Sequence, residues 1–288
     1  MFQFNLSRVA LLALEERETP DVDPGELPAD LWDVIGTGGD QFRDWFTRLC
    51  LYMVLSGGDP SRPRTDDTVV IGTEYGNAAA VAGLQRAAAE QGRRLSAQAF
   101  PQAHSSSASA FVNLTIGATG RSITVNAAQL TPVLSLWQVL SAFAHGRSGA
   151  GHLLVGDVYS AEALADARHD ETGLRHRSGV AYGVLTAGDE FTARFEFASD
   201  EKDVEGTEGT EGREHVGGHT WTSDDGDGRS PAAIGGDQPV ERNGAFVTAE
   251  FLRLVLGLRP GRSAVLRCRG LDGRRATVTV SRKGGSDG

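Results

Sequence analysis

Two short apolar runs, 68–73 and 151–157, constrain the fold of this 288-residue chain more than any other feature. Neither run alternates polar and apolar residues, as a strand with one solvent-exposed face would. Continuous apolar runs of this length are typical of strands covered on both faces, as in parallel sheets. Helical patterns follow the first run to about Gln91 and precede the second, from about Thr131 to His145 with a stop at Gly146. This alternation of buried strands and helices predicts a layered α/β fold.

The remaining predicted elements lie on either side of this region. They are a helix over 41–55, a strand over 179–187, a helix from Thr248 to Leu258, and strands over 263–269 and 275–282. Asp272-Gly273 between the last two strands is a hairpin signal. We therefore predict a single domain with a core over 1–198, and with a C-terminal helix and hairpin over 242–288 that pack on it.

The net charge of -10 is concentrated in one segment, 199–241. This segment holds twelve acidic residues against three basic ones, together with nine glycines and few apolar residues. Such a composition buries too little apolar surface to offset the entropy of ordering the chain, so we predict a disordered acidic loop. No basic face with interleaved aromatic residues occurs anywhere in the sequence, so nucleic acid is not an expected partner.

The two cysteines, Cys50 and Cys268, lie in an apolar helical stretch and a strand-like stretch, and both are predicted to be core residues of a protein from a reducing compartment. The first residues carry no basic segment and no long apolar run. We therefore expect a cytoplasmic protein with neither a secretory signal nor a membrane span. His215 and His219 are separated by glycines in the acidic segment, which argues against a zinc-binding helix, and no metal or other cofactor is expected.

Several pieces of sequence occur in the order found in a known enzyme family. They are Val70–Gly76, a strand and glycine turn; Phe100-Pro101 with the small-residue run Ser105–Ala110; and Gly117–Val125, which is similar to a "G-L-x-G-P-x-x-T-V" strand. Together they resemble the N-terminal half of the β-ketoacyl synthases of the thiolase-like superfamily. The resemblance implies a truncated thiolase-like layered α/β/α fold, with a thiolase-like core over 1–198.

The position that decides function in that family follows directly. The enzymes have an alanine and then a nucleophilic cysteine at a helix N-terminus, where the helix dipole favours the thiolate. This chain has Ala128 and Gln129 there, and glutamine cannot carry an acyl chain as a thioester. The resemblance implies no catalytic residue, a nucleophile position occupied by Gln129, and a pocket or tunnel lined by Gln129, Leu130 and Thr131.

Glutamine at this position is typical of the chain length factors of type II polyketide synthases and of decarboxylating ketosynthases in loading modules. The decarboxylating and condensing enzymes also need two histidines, in "H-G-T-G-T" and "N-x-G-H" contexts, to hold the thioester oxygen. Neither motif occurs in this chain. The segment 152–187 and the short C-terminal part resemble small ketosynthase-like proteins found beside reducing type II systems such as those that make aryl polyenes.

We therefore favour a pseudoenzyme: a chain length factor-like subunit that forms a heterodimer with an active ketosynthase and shapes its acyl tunnel in polyketide or polyene antibiotic biosynthesis. The strand Ile123-Thr124-Val125-Asn126 is the predicted partner interface, and an acyl carrier protein is an expected transient partner. Two alternatives stay open. One is a malonyl-acyl-carrier-protein decarboxylase with Gln129 in its pocket, and the other is a carrier-protein docking module that uses the C-terminal arginines.

Overall fold

A mixed β-sheet runs through the computed structural model of the chain, which describes residues 1–15, 26–57, 66–91, 95–167, 175–199, 218–223 and 241–284. The strands are β1 (Phe2–Ala13), β2 (Thr68–Gly72), β3 (Ser122–Val125), β4 (Ala150–Asp157), β5 (Gly179–Ser199), β6 (Gly218–Ser223), β7 (Ser263–Arg269) and β8 (Arg274–Arg282). The α-helices are α1 (Leu31–Ile35), α2 (Trp45–Leu55), α3 (Ala78–Gln91), α4 (Phe100–Ala103), α5 (Ser107–Thr115), α6 (Thr131–Ala144), α7 (Ala161–Ala167) and α8 (Gly244–Gly257).

The strand order in the sheet is β3-β2-β4-β5-β8-β7-β6, and β1 pairs with β5 outside this path. β2 is parallel to both β3 and β4, whereas the other pairings are antiparallel. β5 is 21 residues long and pairs first with β4 and then with β8, so it joins the N-terminal and C-terminal parts of the sheet. Along the described part of the chain, β3 is one edge of the sheet.

Helices α6 and α8 lie between the two parts of the sheet. They pack against each other, and each contacts both N-terminal strands such as β4 and C-terminal strands such as β7. Val133, Leu136, Val139 and Leu140 of α6 are buried in one large apolar cluster with side chains of α8, β7 and β8. A helix that is apolar on most of its surface is stable only when it is covered on more than one side. This central position explains the pattern of α6 in the sequence.

A second apolar cluster covers the opposite face of β2, β4 and β5. α2 and α5 supply Phe46, Leu49 and Val112, which pack against Val69 and Ile71 of β2. β2 is therefore buried along its whole length. The layered α/β prediction made from the two apolar runs is confirmed.

Most of the predicted elements are present with shifted ends. The predicted hairpin forms β7 and β8, with Gly273 in the left-handed region at φ +81°. α8 begins at Gly244, four residues before the predicted start, because Asn243 caps it. No helix in the described segments is long and apolar enough to cross a membrane.

The predicted disordered loop over 199–241 is wrong for the eight of its residues that the structure describes: Ser199 ends β5, Glu241 forms a bridge with Arg175, and the other six form a strand. Gly218–Ser223 forms β6 and pairs with β7, with Trp221 opposite Leu266. This stretch carries no charge and contains threonine and tryptophan, which favour strands. It was missed because the prediction rested on the acidic composition of the whole segment. The parts of the predicted loop over 200–217 and 224–240 lie outside the described residues.

Candidate functional site

The turn from β3 into α6 places Gln129 at the start of a buried helix. A short 3-10 helix, Ala128–Leu130, joins the two elements, and Pro132 lies in the first turn of α6, where its missing N–H costs nothing. Ala128 has a φ of +47°, which costs about 1–3 kcal/mol in a residue with a Cβ. The Ala127 N–H donates to Thr131 Oγ1 at 3.0 Å and braces this strained turn. The fold therefore keeps Gln129 in a fixed and unusual backbone setting.

Gln129 is only 5% exposed and lines a cavity of about 200 Å³. Of the three predicted pocket residues, Gln129 and Leu130 line the cavity, whereas Thr131 is buried and braces the turn. The cavity also has walls from the turn after β2, from α7 and from the β7–β8 hairpin turn. The other lining residues are Glu74, Tyr75, Ala127, Ala128, Asp166, Arg242, Gly270, Leu271, Asp272 and Arg274. Among these described lining residues there is no histidine and no cysteine.

A buried ion pair forms one wall of the cavity. Arg242 is 4% exposed, and its Nη2 donates to Glu74 Oε1 at 2.8 Å and to the Tyr75 hydroxyl at 3.1 Å. The Tyr75 hydroxyl in turn donates to Asp166 Oδ2 at 3.0 Å, and burial raises the pKa of Tyr75. The positive charge of Arg242 is therefore balanced within the protein, as a buried guanidinium requires.

Behind this wall, Asp157 holds the turn that follows β2. Its Oδ1 accepts hydrogen bonds from Thr73 Oγ1 at 2.7 Å, from the Glu74 N–H at 2.8 Å and from the Tyr75 N–H at 2.7 Å. Burial raises the pKa of Asp157 to about 7, although the bonds from Tyr75 and Thr73 oppose that rise. Asp157 therefore fixes the two cavity residues Glu74 and Tyr75.

Asn243 connects the start of α8 to the ends of β4 and β5. Its side chain is fully buried: Oδ1 caps the helix by accepting from the Ala245 N–H at 2.9 Å. Nδ2 donates to the carbonyl oxygens of Asp157 at 3.0 Å, Arg177 at 2.9 Å and Gly179 at 3.3 Å. Sequence reasoning missed both Arg242 and Asn243. The available signal was the Asn-Gly pair at the start of an apolar helical pattern, which is typical of an N-cap.

The fold of this chain is similar to that of several solved structures. No family model and no curated protein matches the chain. The structure of "The ishigamide ketosynthase/chain length factor" matches with a TM-score of 0.65 and 14% identity, over 90% of this chain and 86% of that chain. "Ketosynthase (ApeO) in Complex with its Chain Length Factor (ApeC) from Xenorhabdus doucetiae" matches with a TM-score of 0.55 and 10% identity, over 98% of this chain and 100% of that chain. The chain has a ketosynthase-type fold. The resemblance stated from the sequence is thus confirmed for the fold.

Within this ketosynthase-type fold, the backbone of β3 has one paired and one outward side. The carbonyls of Arg121 and Val125 accept hydrogen bonds from the N–H groups of Val69 and Thr73, at 2.8 and 3.0 Å. Because alternate residues of a strand face opposite neighbours, the N–H and C=O groups of Ser122 and Thr124 point away from β2, along the edge. Ile123 and Val125 instead pack their side chains on the core cluster of α6. Asn126 is exposed, and its Nδ2 donates to the Glu74 carbonyl at 3.1 Å.

Cys50, Cys268, His145 and His152 all lie outside the lining of the cavity that contains Gln129. Cys50 in α2 and Cys268 in β7 are buried, and burial raises the pKa of both thiols, which keeps them protonated and unreactive. His145 is exposed at the end of α6, with Nδ1 2.6 Å from the Ser141 carbonyl. His152 is buried in β4, with Nε2 2.9 Å from Asp67 Oδ2. In the part of the chain that the structure describes, no group of three His, Cys, Asp or Glu residues is placed to hold a metal ion.

The raised pKa of Asp157 has a measurable effect on stability. Its folded value of about 7 lies above the ordinary value of 3.8, so the folded state binds more protons in that interval and the unfolding free energy falls as pH rises. We expect a loss on the order of 2 kcal/mol between about pH 5 and about pH 8 from this group. Urea denaturation at each pH measures it, and Asp157→Asn should make the slope shallower. Asp189→Asn, at an exposed carboxyl, should leave the slope over this interval unchanged, and equal slopes in all three proteins would contradict the assignment.

Proposed function

We propose that this chain is a non-catalytic, chain length factor-like subunit that pairs with an active ketosynthase and helps to shape its acyl tunnel in type II polyketide or polyene biosynthesis. One observation carries the proposal. Gln129, which cannot form a thioester, occupies the strained turn from β3 to α6 where the sequence resemblance aligns it with the nucleophilic cysteine of the enzymes. A subunit of this kind would act in the cytoplasm and would meet an acyl carrier protein only transiently.

The surroundings of Gln129 support a role without covalent chemistry. The described lining of its cavity offers neither a thiol nor an imidazole to assist condensation or decarboxylation. A malonyl carboxylate entering the cavity would meet Arg242, but this guanidinium already pairs with Glu74 at 2.8 Å. These contacts disfavour the decarboxylase alternative. The carrier-protein docking alternative is weakened in a similar way, because Arg274 and Arg282 pair with Asp272 and Glu190.

The free edge of β3 supports a partner subunit. Its outward N–H and C=O groups at Ser122 and Thr124 form a short template for pairing with another strand. The two structural neighbours are named as a ketosynthase/chain length factor and as a ketosynthase in complex with its chain length factor. We propose that Ile123–Asn126 pairs with the corresponding strand of a ketosynthase across a pseudo-twofold axis, which would cover this edge.

A proline at Thr124 tests this pairing directly. Thr124→Pro removes an N–H that points away from β2, so β3 can stay paired with β2 while the edge loses a donor and gains a steric block. We expect co-purification with the proposed ketosynthase partner from the source organism to fall at least about tenfold, which corresponds to a loss of about 1.4 kcal/mol or more. Affinity capture of the tagged chain, with the ketosynthase quantified by mass spectrometry, measures the change.

Thr124→Val is the matched control. Both variants lose the bond from Thr124 Oγ1 to Ser109 Oγ at 3.0 Å, but only the valine variant keeps the outward N–H. The valine variant should therefore capture the ketosynthase as the wild type does, and melting curves of both variants separate loss of pairing from loss of folding. Equal capture by Thr124→Pro and Thr124→Val, or no capture by the wild type, would show that the heterodimer proposal is wrong.

A further inference from the structure

A second cavity, of about 600 Å³, lies beside the carboxyl ends of β2 and β4, in a part of the fold that the proposed function does not use. The first turn of α2, the helices α3 and α4, and the start of α7 enclose it. The lining residues are Arg43, Asp44, Trp45, Arg48, Gly76, Ala79, Ala80, Gly83, Leu84, Arg86, Ala87, Ala99, Gln102, Val158, Tyr159, Ser160, Ala161 and Glu162. Its volume is within the range of small-molecule binding sites, about 300–1,000 Å³.

One wall of this cavity is apolar and is formed mostly by small side chains. α3 contributes Ala79, Ala80, Gly83 and Ala87, whose side chains are too small to fill the space above the helix. A Cβ built on Gly83 would meet no atom within 4 Å, so the space next to it is open. The ring of Trp45 adds a large apolar surface to the lining. A hydrocarbon chain would bury apolar area against these groups at about 25 cal/mol per Å².

The cavity also contains a cation that the described residues do not neutralise. Arg43 Nη1 donates to the carbonyl oxygens of Ile35 and Gly36 at 3.3 and 3.4 Å, whereas its buried Nε has no hydrogen-bond partner. No carboxylate in the described segments forms an ion pair with Arg43. The Nε has no accessible surface, so a ligand in the cavity would meet the Nη groups of Arg43, and a carboxylate is the anion that pairs best with a guanidinium.

The other charged groups of the lining are already paired or occupied. Arg48 pairs with Asp40 at 2.8 Å, and Arg86 pairs with Glu162 at 2.7 Å. Asp44 caps α2 by accepting from the Thr47 N–H at 2.6 Å. The arginine without an acid partner is therefore the one whose charge is available to a ligand.

We propose that this cavity binds a small amphipathic carboxylate, with its hydrocarbon part along the alanine and glycine wall of α3 and its carboxylate on Arg43. The binding would be non-covalent. This inference depends only on the contacts of α2, α3 and α7, and it stands whether or not the chain pairs with a ketosynthase.

Isothermal titration calorimetry of the full chain with octanoate, and with 1-octanol as an uncharged ligand of equal length, tests the inference. The wild type should bind octanoate at least about tenfold more tightly than octanol. Arg43→Gln should weaken octanoate binding about tenfold or more while changing octanol binding little. Gly83→Leu should weaken binding of both ligands, because the new side chain occupies the cavity.

Two variants at exposed positions on α8 serve as controls. Arg253→Gln removes an exposed arginine, and Gly257→Leu adds a side chain where a Cβ meets nothing within 4 Å. Both should bind octanoate as the wild type does. Gly83→Leu introduces a residue with a higher helix propensity than glycine, so α3 should stay formed. A melting curve checks that this variant is folded. The inference is overturned if octanoate does not bind at millimolar concentration, or if folded Arg43→Gln and Gly83→Leu bind it as tightly as the controls do.

Discussion

Replacing His152 with leucine should lower the free energy of unfolding by about 3–5 kcal/mol, because it removes the imidazole partner of a fully buried carboxylate. His152 lies in β4, with Nε2 2.9 Å from Asp67 Oδ2 and Nδ1 2.7 Å from the Tyr182 hydroxyl. Asp67 has no exposed surface, so water cannot replace the lost imidazole. The substitution leaves the Asp67 carboxylate in the core with weaker compensation, and urea denaturation measures the loss.

His145→Leu is the matched control, since His145 is exposed at the end of α6. Its cost should stay within about 1 kcal/mol, as for most surface substitutions. The double variant His152→Leu with Asp67→Leu removes both members of the pair and should recover part of the stability. A His152→Leu cost no larger than that of His145→Leu would refute the importance of this pair.

Replacing Asn243 with alanine should cost about 2–4 kcal/mol, since it removes a helix cap and the donor to three carbonyl oxygens. The cap oxygen accepts from the Ala245 N–H, and Nδ2 reaches the carbonyls of Asp157, Arg177 and Gly179. These carbonyls lie at the ends of β4 and β5, so the loss uncouples α8 from the sheet. Urea denaturation gives the free energy, and hydrogen exchange of the α8 amides should become faster.

Asn243→Asp distinguishes the two roles of this side chain. Aspartate keeps a capping oxygen but replaces the donor by a second oxygen that faces three carbonyls. We expect it to cost at least as much as the alanine substitution. Stability equal to that of the wild type would mean that capping alone explains the role of Asn243.

The elements with strong local patterns were predictable from sequence. β2 and β4 were found because both faces of each are covered, which produces continuous apolar runs, and α6 was found from its apolar surface and the stop at Gly146. β1 was missed, although it pairs along β5, because its mixed residues show no clear period. Local sequence patterns indicate whether an element is buried, but they do not indicate which other segments of the chain it contacts.

The residues of the candidate site were likewise only partly predictable from the sequence. Gln129 was singled out through its position in a family pattern, and the structure shows it buried beside Leu130 in the lining of a cavity. Its partners in the cavity wall were not predictable, because Glu74 and Arg242 are 168 residues apart along the chain. From sequence alone an arginine is expected at the surface. Only the fold shows that Arg242 is buried next to an acid.

The long strand β5 has a consequence for how the chain is made. It pairs with β1 from the N-terminus and with β8 near the C-terminus, so its hydrogen bonds are completed only when residue 282 has been synthesised. Until then, α6 lacks its contacts with β7 and β8, so part of its apolar surface stays uncovered on the ribosome. Contacts between such distant segments fold slowly and expose the nascent chain to aggregation. We therefore expect the chain to be prone to aggregation until its last strand is in place.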